Sequence, residues 1–108
     1  MSAAEPKITH NGPRKRFELL IDGKLSLIEY TRPRRGTTDG QTLALTHTEV
    51  HPDLEGQGVG SNLVKQVLTY AEQQGQKIVP LCSFIAVYIK RHPDWQRIVS
   101  TEYDATDF

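Results

Sequence analysis

Val50-His51-Pro52-Asp53-Leu54-Glu55-Gly56-Gln57-Gly58-Val59-Gly60-Ser61-Asn62-Leu63 is the stretch whose reading decides the fold. On its N-terminal side, Thr42 to Val50 has the alternation of a strand. On its C-terminal side, Val59 to Gln74 carries Val59, Leu63, Val64, Val67, Leu68, Tyr70 and Ala71 on one broad helical stripe. Between them Gly56, Gly58 and Gly60 alternate with Gln57 and Val59. A glycine-rich join at a helix start leaves backbone N–H groups free, and the helix dipole adds about half a positive charge there. An anionic ligand, a phosphate above all, suits such an end.

Two phosphate templates fail. A P-loop needs Lys followed by Ser or Thr after its last glycine, and Gly60 is followed by Ser61-Asn62. A dinucleotide fingerprint wants glycine or alanine three residues after Gly58, where Ser61 stands.

The flanks complete the organisation. Phe17–Ile21 and Lys24–Arg32 read as strands, and Asp22-Gly23 between them is a tight hairpin signal. Strict alternation in the third strand sets Leu43, Leu45, His47 and Glu49 on one face against Ala44, Thr46, Thr48 and Val50. Gly75 ends the long helix, Lys77–Leu81 is a short strand, and Pro80 marks where it leaves its neighbour. Strand, helix, strand implies a parallel βαβ unit. Ser83 is the expected cap of a last helix, Phe84 to Arg91, stopped by Pro93. Residues 1–13 read as a flexible leader, 14–100 as one folded domain and 101–108 as a tail.

Composition narrows the classes. At 108 residues the chain is one domain, and 13 basic residues balance 13 acidic ones. That balance removes the case for a globally basic nucleic-acid binder. Local basic clusters remain at Arg14-Lys15-Arg16 and Arg34-Arg35, each a solvated surface or a contact for an anion. The single cysteine, Cys82, cannot form an internal disulfide and suits a reducing compartment. Met1 to Asn11 is polar, with no signal-peptide core, and the longest mostly apolar run, Leu81 to Ile89, is too short to cross a bilayer. A cytoplasmic protein acting without membrane or nucleic acid is expected. His10, His51 and His92 lack metal-ligand spacing with Cys82, so no metal site is expected.

The sequence Val50-His51-Pro52, then Glu55-Gly56-Gln57-Gly58-Val59-Gly60, resembles the acetyl-coenzyme A loop of the GNAT superfamily of N-acetyltransferases. That loop reads Val-x-Pro, a short spacer, then Arg/Gln-x-x-Gly-x-Gly/Ala. Gly58 and Gly60 match its glycines, while Glu55 stands where Arg or Gln is usual. The pairing of His47-Thr48-Glu49-Val50 with Leu81-Cys82-Ser83 is similar to the very small members, and Tyr88-Ile89-Lys90 echoes the superfamily's Tyr-x-Lys helix.

The resemblance implies an α+β, GNAT-like fold: antiparallel N-terminal strands, a βαβ unit, a splayed strand pair and one short C-terminal helix. It implies acetyl-coenzyme A as cosubstrate, held by Val50, Gln57, Gly58, Val59, Gly60 and Ser61. The expected activity is acetyl transfer to an amine on a small molecule or protein. His47 or Glu49 would serve as base. Cys82 would be acid, acyl carrier or buried packing residue, and Tyr88 a second acid. Two other functions stay open: a non-catalytic acyl-coenzyme A-binding module, and a cysteine hydrolase built on Cys82 and His47.

Overall fold

A computed structural model describes residues 6–32, 42–103 and 108. Strands β1 (Thr9–Asn11), β2 (Arg16–Ile21), β3 (Lys24–Thr31), β4 (Thr42–Glu49) and β5 (Lys77–Pro80) form one sheet in chain order. The first four are antiparallel in sequence, and β5 joins β4 in parallel. Helix α1 (Val59–Gln73) connects β4 to β5, and α2 (Ser83–Arg91) follows β5. This is the expected mixed sheet with its βαβ unit.

Asp22 and Gly23 both take positive φ, at 51° and 75°. That is the two-residue turn whose twist matches flanking strands, and Ile21 faces Lys24 across it. Helix α1 ends as expected at Gly75. The N–H of Gly75 donates to the Glu72 carbonyl at 3.1 Å, and that of Gln76 to Ala71 at 2.8 Å. Together these satisfy carbonyls that the last turn leaves bare.

Three expectations change. Residues 9–11 of the presumed leader are an edge strand paired with β2, so the folded unit begins before Arg14. Its anchor is His10, whose Nε2 lies 2.6 Å from Tyr30 Oη and whose ring stacks on Phe17. The N-cap of α2 is Cys82, not Ser83, and no side chain bonds the cap. The basic stretch at Arg34-Arg35 lies outside the described residues.

The third change concerns β4. Glu29 faces His47 and Tyr30 faces Leu45, so Thr46 is an extra residue opposite a single step of β3. Its hydroxyl donates to the Glu29 carbonyl at 3.3 Å. A bulge of this kind resets the side-chain alternation. Leu43 and Leu45 therefore join Phe17, Leu19, Ile28 and Tyr30 in the core beneath α1, with Leu63, Val64, Val67 and Leu68. His47 and Glu49 instead share a face with Glu29 and Leu27, on the other side of the sheet. Strict alternation put all four on one face. It failed because no glycine or proline marks the inserted residue.

Candidate active site

The site is built where β4, β5 and the two helices part. β5 follows β4 only through Leu45, which faces Pro80. The N–H groups of Leu81 and Cys82 both donate to the Leu45 carbonyl, at 3.0 and 2.9 Å. Proline cannot extend a ladder, and the Thr46 bulge bends β4 at the same level. From Thr46 onward the β5 side of β4 is thus an open strand edge.

Cys82 enters that opening. Its Sγ lies 3.4 Å from Thr48 Oγ1. Partial burial pushes the thiol pKa up. Hydrogen bonds from the Thr48 hydroxyl and from the backbone of Ile85, Phe84 and Thr48 outweigh it, and the net shift is downward. The start of a helix favours a thiolate for the same reason, through bare donors and dipole. Thr48 lies inside the quoted tetrapeptide, but alternation placed it on the face away from His47 and gave it no role. Its contact with Cys82 depends on where β5 ends.

The glycine loop behaves as its sequence foretells. A 3-10 turn at Pro52–Leu54 leads into it, and His51 anchors the turn by donating its N–H to the buried Ser26 hydroxyl at 3.1 Å. His51 Nδ1 accepts from the Asp53 N–H at 3.1 Å. Gly56 and Gly58 take φ of 80° and 76°, where other residues are strained. Gly58 is the N-cap of α1, and no side chain caps it. The first intrahelical bond runs from the Asn62 N–H to the Gly58 carbonyl. The N–H groups of Val59, Gly60 and Ser61 therefore find no acceptor one turn back.

These groups line a groove of about 310 Å³, with Val50, Leu54, Glu55, Gly56 and Phe84. A Cβ on Gly60 would meet the Phe84 ring at 2.8 Å and a Val50 methyl at 3.3 Å, so glycine is what lets α2 approach the first turn of α1. The donors fit an anionic diphosphate. Glu55 is exposed at the rim and is the one residue there that opposes it.

The remaining expected residues fall elsewhere. His47 and Glu49 are exposed on the far face, with Glu29 directly across from His47. Tyr88 stacks on His92 with ring centres 4.2 Å apart. Burial raises its pKa, and a hydrogen bond from Trp95 partly opposes that. It lines a second cavity rather than the opening that holds Cys82. Of the pair a cysteine hydrolase would use, Cys82 meets Thr48 and His47 faces Glu29, so the two lie against opposite faces of β4.

A family model for GCN5-related N-acetyltransferases matches residues 16–98. Among solved structures, the chain is similar to a GCN5-like protein of Staphylococcus aureus, determined by NMR in solution and named there as a candidate N-acetyltransferase. The two are 25% identical, with a TM-score of 0.63 over 95% of this chain and 96% of the other. No curated protein matches the sequence.

Proposed function

The chain belongs to the GCN5-related N-acetyltransferase family, and from that premise we propose that it moves an acetyl group from acetyl-coenzyme A to an amine on a small molecule or protein. The observation that carries the reading is the uncapped first turn of α1, opening onto a groove beside the free edge of β4. The N–H groups of Val59, Gly60 and Ser61 hold the diphosphate, and the Ser61 hydroxyl adds a donor. The amide arm of the cosubstrate pairs with β4 beyond Leu45 as an added strand would.

In the direct reaction the amine nitrogen attacks the acetyl carbon and the carbon–sulfur bond breaks. The amine proton passes to His47 or Glu49, by water where needed. The coenzyme leaves as a thiolate. The acceptor approaches from the sheet face that carries those two side chains. No helix of the described residues is long and apolar enough to span a membrane, and the lone thiol suits the reducing cytoplasm as the setting.

One observation favours a second route. Cys82 Sγ stands at the open edge of β4, 3.4 Å from Thr48 Oγ1, and the hydrogen bonds that lower its pKa favour the thiolate, the nucleophilic form. Cys82 Sγ would attack the acetyl carbon, release the coenzyme thiolate and carry the acetyl group to the amine. Intact-mass analysis after mixing with acetyl-coenzyme A separates the routes: one added acetyl group, absent in Cys82→Ser, marks the relay.

Calorimetry with acetyl-coenzyme A and coenzyme A tests the reading as a whole. Binding of both is expected, followed by an acetylated product from an amine and peptide panel. Binding without product across the panel would make this a non-catalytic module. No binding of either form at high concentration would end the proposal.

A further inference from the structure

Ser26 is a polar side chain with no exposed surface, set in the core on β3 across from Leu19. An alanine would fill that place without the cost of burying a hydroxyl. The hydroxyl has a use that the structure shows: it accepts the His51 N–H at 3.1 Å. The β3–β4 ladder has just ended there, at Leu27–Glu49. Pro52 follows and has no N–H, so His51 carries the last main-chain donor before the turn. A side chain of β3 thus takes over from the backbone acceptor. His51 in turn holds the 3-10 turn: its carbonyl accepts from the Leu54 N–H at 2.8 Å and its Nδ1 from the Asp53 N–H at 3.1 Å. Val50 and Leu54, on either side of His51, both line the groove at the glycine loop. A second polar tie runs from β3 to this segment, between Lys24 Nζ and Asp53 Oδ2 at 3.8 Å. That pair is exposed and long, so it is worth little. The buried hydrogen bond sets the position of the turn.

Resting on the functional reading above, we infer that Ser26 is a positioning residue for the groove: from inside the core its hydroxyl fixes His51, and with it the spacing of Val50 and Leu54 from the bare N–H groups of α1. Ser26 lines no part of the groove and acts through the main chain. Without the acceptor, the His51 N–H must find water, and the turn reaches water only by moving away from β3. Val50 and Leu54 move with it. A Val50 methyl is one of the atoms that a Cβ on Gly60 would meet, at 3.3 Å, so this wall and the first turn of α1 are packed together. A groove that holds its binding geometry for only a fraction of the time loses apparent affinity by that fraction.

The test is calorimetry with coenzyme A on the wild-type chain, Ser26→Ala, Ser26→Cys and Ile98→Val. Ser26→Ala should bind about tenfold more weakly, the worth of one hydrogen bond spent on holding the turn. Ser26→Cys is close to serine in shape but a weak acceptor, so it should follow alanine and not the wild type. Ile98→Val lowers stability by a core change outside the groove and should leave the affinity unchanged. Amide exchange on the free wild type gives a reading that needs no variant to fold: the His51 N–H should exchange about tenfold or more slowly than the bare N–H of Ser61. Wild-type affinity in Ser26→Ala or Ser26→Cys, an equal weakening by Ile98→Val, or a His51 N–H that exchanges as fast as that of Ser61 would overturn this assignment alone. Failure of coenzyme A to bind the wild type would overturn it together with the acetyltransferase reading.

Discussion

The β2–β3 ladder and the β4–β5 pair are made from similar residues and do opposite things. β2 and β3 pair without interruption from Arg16–Glu29 to Ile21–Lys24, closed by a two-residue turn. β4 and β5 pair from Thr42–Lys77 only to Leu45–Pro80, then separate at a bulge and a proline. In the first region every ladder position is used up on structure, and the side chains beneath it, Phe17, Leu19 and Ile28, are fully buried. In the second, backbone donors, a thiol and a strand edge are left over for something else. Regular pairing builds the platform, and the place where pairing stops is where a ligand can be held.

This contrast can be broken by substitutions whose expected effects run from large to small. Phe17→Ala, in the closed half, should cost about 3–5 kcal/mol in denaturant unfolding, through lost transfer energy and the cavity left among His10, Tyr30 and Tyr70. If it cost no more than Thr48→Val at the open edge, the two halves would not differ as described. Gly58→Glu should weaken coenzyme A binding by about 100-fold, or about 2.7 kcal/mol. It forces a non-glycine residue to a φ of 76° and sets a carboxylate at the bare donors. Binding that survived this change would place the diphosphate elsewhere.

Thr48→Val sharpens the comparison from the thiol's side. Thiolate labelling by iodoacetamide, followed against pH, should reach half-maximum below the ordinary cysteine value in the wild type. In the variant the inflection should move up, because the hydroxyl that favours the charged form is gone while burial remains. The variant should therefore label more slowly at neutral pH, and an unchanged profile would mean the Thr48 contact does not tune Cys82. The smallest effect is expected at the groove rim. Glu55→Gln removes an exposed negative charge and should tighten coenzyme A binding by about twofold, a gain that should fade as salt is raised.

Much of this was legible beforehand, and the residues show why. Asp22-Gly23 and Gly75 are local signals: each position needs a backbone conformation that few residues adopt, so composition reveals geometry. Pro80 told where β5 would leave β4, since a missing N–H is visible in any context. Thr46 carried no such mark. Threonine is at home in a regular strand, and only the register against Glu29 and Tyr30 reveals it as an insertion. From that one residue follows the separation of His47 and Glu49 from the face of Leu43 and Leu45, where strict alternation had set them. The edge strand at Thr9–Asn11 was hidden for a related reason. Three residues have no period to read, and their stability comes from His10 meeting Phe17 and the hydroxyls of Tyr30 and Tyr70.

By itself, then, the order of residues determined the elements, the hairpin, the crossover and the loop of bare amides, because glycine, proline and hydrophobic period act over a few neighbours. The fold alone decided which residues meet at the parting of β4 and β5: Cys82 with Thr48, and Gly60 with Phe84. Those meetings join positions far apart in the chain, and they are fixed by a strand register that one unmarked residue can shift.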